Sequence, residues 1–491
     1  MLRKIELVNY KSYDDVSIAL KPITLLCGGN SSGKTSILKS VLLMKQSFEA
    51  SGNNYLLING PYTNNGLFSS IQRNTCPSNS EMKISMVFVI DNKNSSFKDL
   101  CRSIGMLHRQ GEFQKFEIQA SFQFDENPSI PQVGEIKSSM ITLSSYFRNE
   151  SNTSHDKLTT AKICMERCLV PQHYTIDLSN FPTPLYSRNK DAYPFEYMDH
   201  SWKDCICYFR GMQLVSLYKD QLSKKSTSTL PVLYTIFRII ASEYNKIEYI
   251  GPLREAPLRQ YLLQDVYSEI GVKGENTAHF LGQLGENIIN CPLPGGRTSR
   301  DIKLKEAVAQ WANFMGIEQV SIISTDIPGA KLTQIMIGNQ NIADVGFGVS
   351  QVLPILVEGL TMPSGDTLIL EQPEIHLHPK MQMNIADFLV MIAKQGKHLI
   401  VETHSDHIIN RIVRRALESD ELRSMIGIYY IEKNSHGDSK LTEVLINENL
   451  GIDDAPEGFF DQYASETEQI LQTGYKNMKE KRGDKYDKIN Y

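Results

Sequence analysis

Nowhere in the 491 residues do apolar side chains run together for the roughly 18 positions that a membrane-crossing helix requires, which excludes a helical membrane span. A cationic excess is missing too. The chain has 51 Lys and Arg against 56 Asp and Glu, so no molecule-wide field draws in nucleic acid, and any such contact needs a local patch. No heptad pattern is sustained over several turns, which excludes long coiled-coil arms, and no repeat with a period of roughly 20 to 50 residues is visible. The 8 cysteines are scattered and lack paired C-x-x-C spacing, which suits a reducing compartment better than a disulfide framework. The first ten residues alternate like a strand and carry no secretory signal, so a cytoplasmic location away from membrane is expected.

What is present is an ordinary globular composition, 41% hydrophobic and 22% charged, at about three times the length of a typical domain. Lys4 to Val8 and Val16 to Leu20 read as short strands, and the apolar run Ile23 to Cys27 ends at a Gly-Gly pair as a buried strand does. Ile37, Leu38, Val41 and Leu42 then keep helical spacing within a helix over Lys34 to about Phe48. Residues 76–245 differ in character, because clusters of Asn, Ser and Gly separate alternating segments; a mostly β insertion is expected there. From 246 to 475 strand and helix patterns alternate regularly, with a strand at Thr367–Leu370, a helix opened by Pro379 and a strand at His398–Val401. The expected fold is α/β, with 1–75 and 246–475 forming one unit around the insertion. Residues 476–491, with six basic and three acidic side chains, read as a disordered charged tail.

Gly28-Gly29-Asn30-Ser31-Ser32-Gly33-Lys34-Thr35 fits the phosphate-binding loop pattern G-x-x-x-x-G-K-[ST], and it lies between a predicted strand and a predicted helix. Backbone N–H groups of such a loop curl around phosphate oxygens at the positive end of the helix. Lys34 reaches the outer phosphates, Thr35 supplies a Mg2+ ligand, and Ser36 follows in the first turn. A site for a nucleoside triphosphate such as ATP, with Mg2+, is therefore expected; a plain flexible turn ahead of a helix is the bland alternative. Glu371, at the end of the apolar strand Thr367–Leu370, is the expected Mg2+ carboxylate. Gly346, Gly348, Ser350 and Gln351 form a second anion-binding pattern at a helix start with no phosphate of its own, so it wants a γ-phosphate held by a second copy. His404, in Val401-Glu402-Thr403-His404-Ser405, stands where a strand passes into a helix and can contact a γ-phosphate or an attacking water.

Two weaker patterns have bland readings beside the functional ones. Cys164, Cys168 and His173, and separately Cys205, Cys207 and His200, are either a zinc site or buried small side chains. Arg297, Arg300, Lys303 and Lys305, and separately Arg411, Arg414 and Arg415, are either solvated faces or contacts to a nucleic-acid backbone.

In the order of its motifs the sequence resembles the ABC-type ATPase heads of the overcoming-lysogenization-defect, RecF and SMC kind, and most of all the Septu-type defence ATPases that also occur in retrons. The residues that carry the likeness are Leu7-Val8-Asn9-Tyr10-Lys11-Ser12-Tyr13, Tyr249-Ile250-Gly251-Pro252-Leu253-Arg254, Glu371 to Pro379, Glu402-Thr403-His404-Ser405 and Gly458-Phe459-Phe460-Asp461. It spans about 1 to 75 and 245 to 475. The resemblance implies two heads that sandwich ATP between loop and signature. It also implies an HNH-type nuclease as separate partner and, in a retron, reverse-transcribed DNA as a further one. Most such heads place a general-base glutamate directly after the Mg2+ carboxylate. Here that residue is Gln372, whose amide orients water but takes no proton, so slow hydrolysis is expected unless Glu374 substitutes. A RecF-like DNA-repair ATPase and a stand-alone nuclease are the competing readings. With 87 residues after His404, no added nuclease domain is expected behind the head.

Overall fold

The computed structural model describes residues 1–50, 55–73, 81–103, 113–147, 157–168, 173–184, 195–218, 230–263, 267, 269–449, 451–452, 455–456, 458–460 and 466–475. Cys76, Asp461 and the tail 476–491 lie outside them, as do the side chains of His200, Arg297 and Arg300.

The chain opens with β1 (Leu2–Tyr10), β2 (Tyr13–Ala19) and β3 (Ile23–Gly28), then α1 (Lys34–Glu49) and β4 (Tyr55–Leu57). β1 and β2 form an antiparallel hairpin in which Ile5, Leu7, Val16 and Ile18 bury one face, the period of two that the sequence shows. Next come β5 (Met82–Asp91), α2 (Ser95–Ser103), β6 (Phe113–Glu126), β7 (Val133–Phe147), β8 (Lys157–Arg167), β9 (His173–Pro184), β10 (Phe195–Arg210), β11 (Gln213–Tyr218) and α3 (Leu230–Asn245). Strand order in this sheet is β11-β10-β9-β8-β7-β6-β5-β1-β2, with β4 paired to β7.

The β-rich 76–245 segment and residues 1–75 share one ten-stranded sheet, because β5 pairs antiparallel with β1. Long-range pairing of this kind leaves no local trace in either segment. α3 also belongs to the head, since Tyr244 stacks on Phe48 of α1 at 4.8 Å between ring centroids.

The second half brings β12 (Ile247–Ile250), β13 (Tyr261–Leu263), α4 (Thr277–Leu284), β14 (Ile288–Leu293), β15 (Arg297–Lys303), α5 (Leu304–Met315), β16 (Val320–Ile327), β17 (Ala330–Ile337) and β18 (Gln340–Asn341). α6 (Gly348–Thr361), β19 (Thr367–Glu371), α7 (Pro379–Ala393), β20 (His398–Glu402), α8 (Asp406–Ala416), α9 (Asp420–Ser424), β21 (Ile426–Lys433) and β22 (Ser439–Val444) follow. The central sheet runs β12-β19-β20-β3-β21-β22, parallel except for β22.

Both faces of that sheet are covered, which is why its strands read as unbroken apolar runs. Leu26, Ile369, Ile400 and Ile431 join a core with α1, α3 and the antiparallel sheet. Leu25, Leu370, Val401 and Ile428 join the core beneath α5, α6, α7 and α8. α1 is thus sandwiched between two sheets, and its polar residues are satisfied internally. Gln46 donates to the Leu57 carbonyl and accepts from Thr63 N–H, while Lys45 pairs with Glu49 at 2.7 Å.

Candidate functional site

The parallel strands end together, and the loops beyond their carboxyl ends form the crevice where ligands bind in α/β sheets. Gly28 closes β3 at φ 139°, in a region open to glycine, and a Cβ there would collide with the Ile431 carbonyl. Gly33 sits at φ 117° as the residue before α1, and Ser31 is held at φ 57°. The loop is braced from outside by the β1–β2 turn and by β22. Tyr13 donates to the Gly33 carbonyl at 3.1 Å, and Ser439 donates to the Ser32 carbonyl while its backbone N–H reaches Ser12 O at 2.8 Å.

Lys34 is 3% exposed, and its Nζ curls back onto the carbonyls of Gly28 and Gly29 at 3.1 and 2.6 Å. Burial lowers its pKa, opposed by the nearby Glu402 carboxylate. The Ser32 hydroxyl is buried without a hydrogen-bond partner among the described residues. A cation held only by carbonyls and an orphaned hydroxyl, beside the exposed Gly29, Asn30 and Ser31, fit a phosphate chain that supplies the missing acceptors. Ser36 follows in the first turn of α1, its backbone N–H on the Gly33 carbonyl at 3.0 Å.

Thr35 was expected to work beside Glu371, and the structure places another carboxylate on it. The Thr35 hydroxyl lies 2.9 and 2.8 Å from the two oxygens of Glu402, the last residue of β20. The reason is strand order: β20 lies between β3 and β19, so Glu402 is one strand nearer the loop than Glu371. Glu371 is aligned with Glu402 across the ladder, and its Oε1 accepts from Tyr249 Oη at 2.9 Å. Burial first, and then Glu371, pushes the Glu402 carboxyl up to about 7. Burial also raises Glu371, against the Tyr249 hydrogen bond. Among the described residues no group of three or more His, Cys, Asp or Glu is placed to hold a metal by itself. Two carboxylates and a hydroxyl nevertheless form the hard oxygen donor set that Mg2+ takes together with phosphates and water. When bound, the ion neutralises charge on the phosphates.

Gln372 follows Glu371 at φ 45°, its N–H on the Glu402 carbonyl at 2.8 Å. Arg254, 5% exposed, clamps this turn by donating to the carbonyls of Glu371 at 2.9 Å and Gln372 at 3.1 Å. Burial lowers the guanidinium pKa to about 10. Glu374 does not stand free as a substitute base. Its Oε1 accepts from the His404 N–H at 2.6 Å and its Oε2 from Thr403 Oγ1 at 2.9 Å, so it braces the turn that carries His404. Burial and the neighbouring Lys34 lower the His404 pKa, favouring the neutral imidazole.

The second anion-binding pattern lies on the opposite core. α6 begins at Gly348, within the pattern, and Phe347 packs edge-on against His376 at 5.4 Å. Gly346 has open space where a Cβ would stand, whereas Gly348 lies against the His376 carbonyl. The Ser350 hydroxyl donates to the Phe347 carbonyl at 2.8 Å; Gln351 is buried beside it, its Nε2 3.5 Å from Ser350 Oγ.

Sequence reasoning missed Glu402, Tyr249 and Arg254 as working parts, although all three lay inside quoted motifs. The signal for Glu402 was available: like Glu371, it closes a strand of consecutive apolar residues, Leu399-Ile400-Val401. The cysteine pairs gather no metal ligands among the described residues; Cys205 and Cys207 are buried, and Cys168 Sγ lies 3.8 Å from Thr175 Oγ1.

A glycine loop before a buried helix, a lysine and threonine at its start, and strand-terminal carboxylates beside it define a P-loop ATPase of α/β fold. The chain belongs to the AAA ATPase domain family, whose pattern matches residues 1–409. Among solved structures it is similar to the SMC head domain from Thermotoga maritima, at 10% identity and a TM-score of 0.37, covering 90% of this chain and 98% of that one. It is likewise similar to an Smc head bound to the C-winged helix domain of ScpA, at 13% identity and a TM-score of 0.35, covering 91% of this chain and 98% of that one. No curated protein matches the chain.

Proposed function

We propose that this ATPase binds MgATP as a two-headed sandwich, turns it over slowly, and uses the loaded state to restrain or position a separate effector. The observation that carries the reading is the contrast between binding and chemistry at the site. The loop, Lys34 and Thr35 are built to hold a triphosphate, while the base position carries the amide of Gln372 and both oxygens of Glu374 are engaged. Such a site favours long occupancy over turnover. Ser350, Gly348 and Gly346 of one copy would close on the γ-phosphate bound by the other, with His404 beside it.

By its resemblance to Septu-type systems, the effector is an HNH-type nuclease in antiviral defence, with retron DNA as a further partner in some settings. Several of the basic residues that a DNA-binding alternative would use are in ion pairs. Lys303 pairs with Glu286 at 2.8 Å, Lys305 pairs with the same carboxylate, and Arg411 and Arg415 both reach Asp387. In each cluster two cations share one carboxylate, so these basic residues are only partly compensated within the chain.

The test is the mass of the purified protein with ATP, ADP and no nucleotide, alone and with a co-expressed neighbouring nuclease. Wild type should associate with ATP, Lys34→Ala and Ser350→Arg should not, and a mixture of the two variants should recover one competent site. Unchanged association in both single variants would sink the sandwich.

A further inference from the structure

We infer that Glu402 is a second carboxylate of the magnesium site, and the one that fixes Thr35 for the metal. The inference rests on the nucleotide site proposed above and deepens it. A hydroxyl has one proton and two lone pairs. In the structure both Glu402 oxygens lie within hydrogen-bond reach of Thr35 Oγ1, at 2.9 and 2.8 Å. With its proton directed to Glu402, Thr35 keeps a lone pair turned outward for a cation. Glu402 acts on the metal chiefly through Thr35, as a positioning residue.

The ladder supplies a second, independent argument. Glu402 pairs with Leu26 of β3 on one side and with Glu371 of β19 on the other. Neighbouring strands lie about 4.8 Å apart, so the two carboxylates share one patch of the sheet end. They are 3% and 5% exposed, and neither is in an ion pair among the described residues. Two adjacent buried carboxylates, with Lys34 near Glu402 and Arg254 near Glu371 but no direct ion pair to either among the described residues, are costly, and a divalent cation offsets both at once. Glu371 is anchored from its far side by Tyr249 Oη, which leaves Glu402 as the carboxylate in contact with the P-loop hydroxyl.

The experiment measures the affinity of the full chain for a fluorescent ATP analogue, first in EDTA and then along a titration of free Mg2+. Thermal unfolding serves as the control for folding. Glu402→Gln should bind in EDTA as well as wild type or better, since a negative charge near the phosphates is gone. It should need about 10- to 100-fold more Mg2+ for half of the metal-dependent tightening. Glu402→Asp keeps the charge at a shorter reach and should fall in between, and it carries the test alone if the glutamine variant fails to fold. Glu371→Gln should show a smaller shift than Glu402→Gln. A wild-type Mg2+ midpoint in both Glu402 variants, or a full loss from Glu371→Gln with Glu402→Gln unaffected, overturns the inference. Lys34→Ala addresses the underlying reading separately: undiminished binding in EDTA by that variant would refute the nucleotide site itself, whatever the Glu402 variants do.

Discussion

Glu374 holds His404 by its backbone: the carboxylate oxygen Oε1 accepts from the His404 N–H at 2.6 Å, and its partner oxygen accepts from Thr403 Oγ1 at 2.9 Å. The loop after β19 is therefore tied to the turn after β20, and the glutamate that follows Gln372 and Pro373 braces the turn that carries His404.

Glu374→Gln should on that account keep most ATP hydrolysis, because the amide oxygen still accepts from the His404 N–H and the amide NH2 can donate to Thr403 Oγ1. Glu374→Ala leaves the buried donors unpaired and should cost about 1–3 kcal/mol in stability and most of the turnover. Single-turnover hydrolysis of labelled ATP and thermal unfolding check both. Abolished hydrolysis in a normally folded Glu374→Gln would make Glu374 the base.

Gln372→Glu should raise hydrolysis, since a positioned general base typically contributes about 10²- to 10⁴-fold. The backbone at this position is already fixed by Arg254 and the Glu402 carbonyl, so the carboxylate would arrive in a prepared turn. The ATP-bound dimer should be correspondingly shorter-lived. Equal single-turnover rates in wild type and variant would refute Gln372 as the brake.

Arg254→Ala removes the donors to the buried carbonyl of Glu371 and the half-buried carbonyl of Gln372. The expected cost is about 1–3 kcal/mol, with hydrolysis reduced and nucleotide binding in EDTA retained, because the P-loop does not depend on this clamp. Arg254→Lys keeps the charge but lacks the planar fork that spans both carbonyls, and should recover only part of the loss. Binding and turnover falling together in Arg254→Ala would contradict a role confined to the Glu371–Gln372 turn.

Glu358 lies on α6 away from the phosphate site, and burial first, then Glu248 and Glu269, push its carboxyl up to about 8. Asp366 and the buried Lys397 also face it, and the Lys397 ammonium donates to the carbonyls of Gly359 and Leu360. Folded and unfolded chains both hold the proton below the ordinary carboxyl pKa of 4.5. Between there and about 8 the unfolded chain releases it while the folded chain keeps it, so this group's share of stability is lost as pH rises through that window. Glu358→Gln should melt higher than wild type at pH 8 and equally near pH 4.5, with an upper bound of about 5 kcal/mol on the difference. Parallel melting curves across that range would contradict the buried carboxyl as its source.

Local pattern determined the phosphate-binding loop, the helix behind it and the strands beside it. Glycines that must adopt positive φ, apolar runs covered on both faces, and Pro379 in the first turn of α7 are signals carried within a few residues. The same locality marked Glu371, Gln372 and His404 as candidate site residues. Only the tertiary structure decided that Glu402 reaches Thr35, that Glu374 is engaged by Thr403 and His404, and that Arg254 clamps a turn 117 residues further along the chain. It also joined the 76–245 segment to β1 in one sheet. Which strand stands next to which depends on pairings between distant segments, and a strand's own sequence records which of its faces is buried but not the identity of its neighbour.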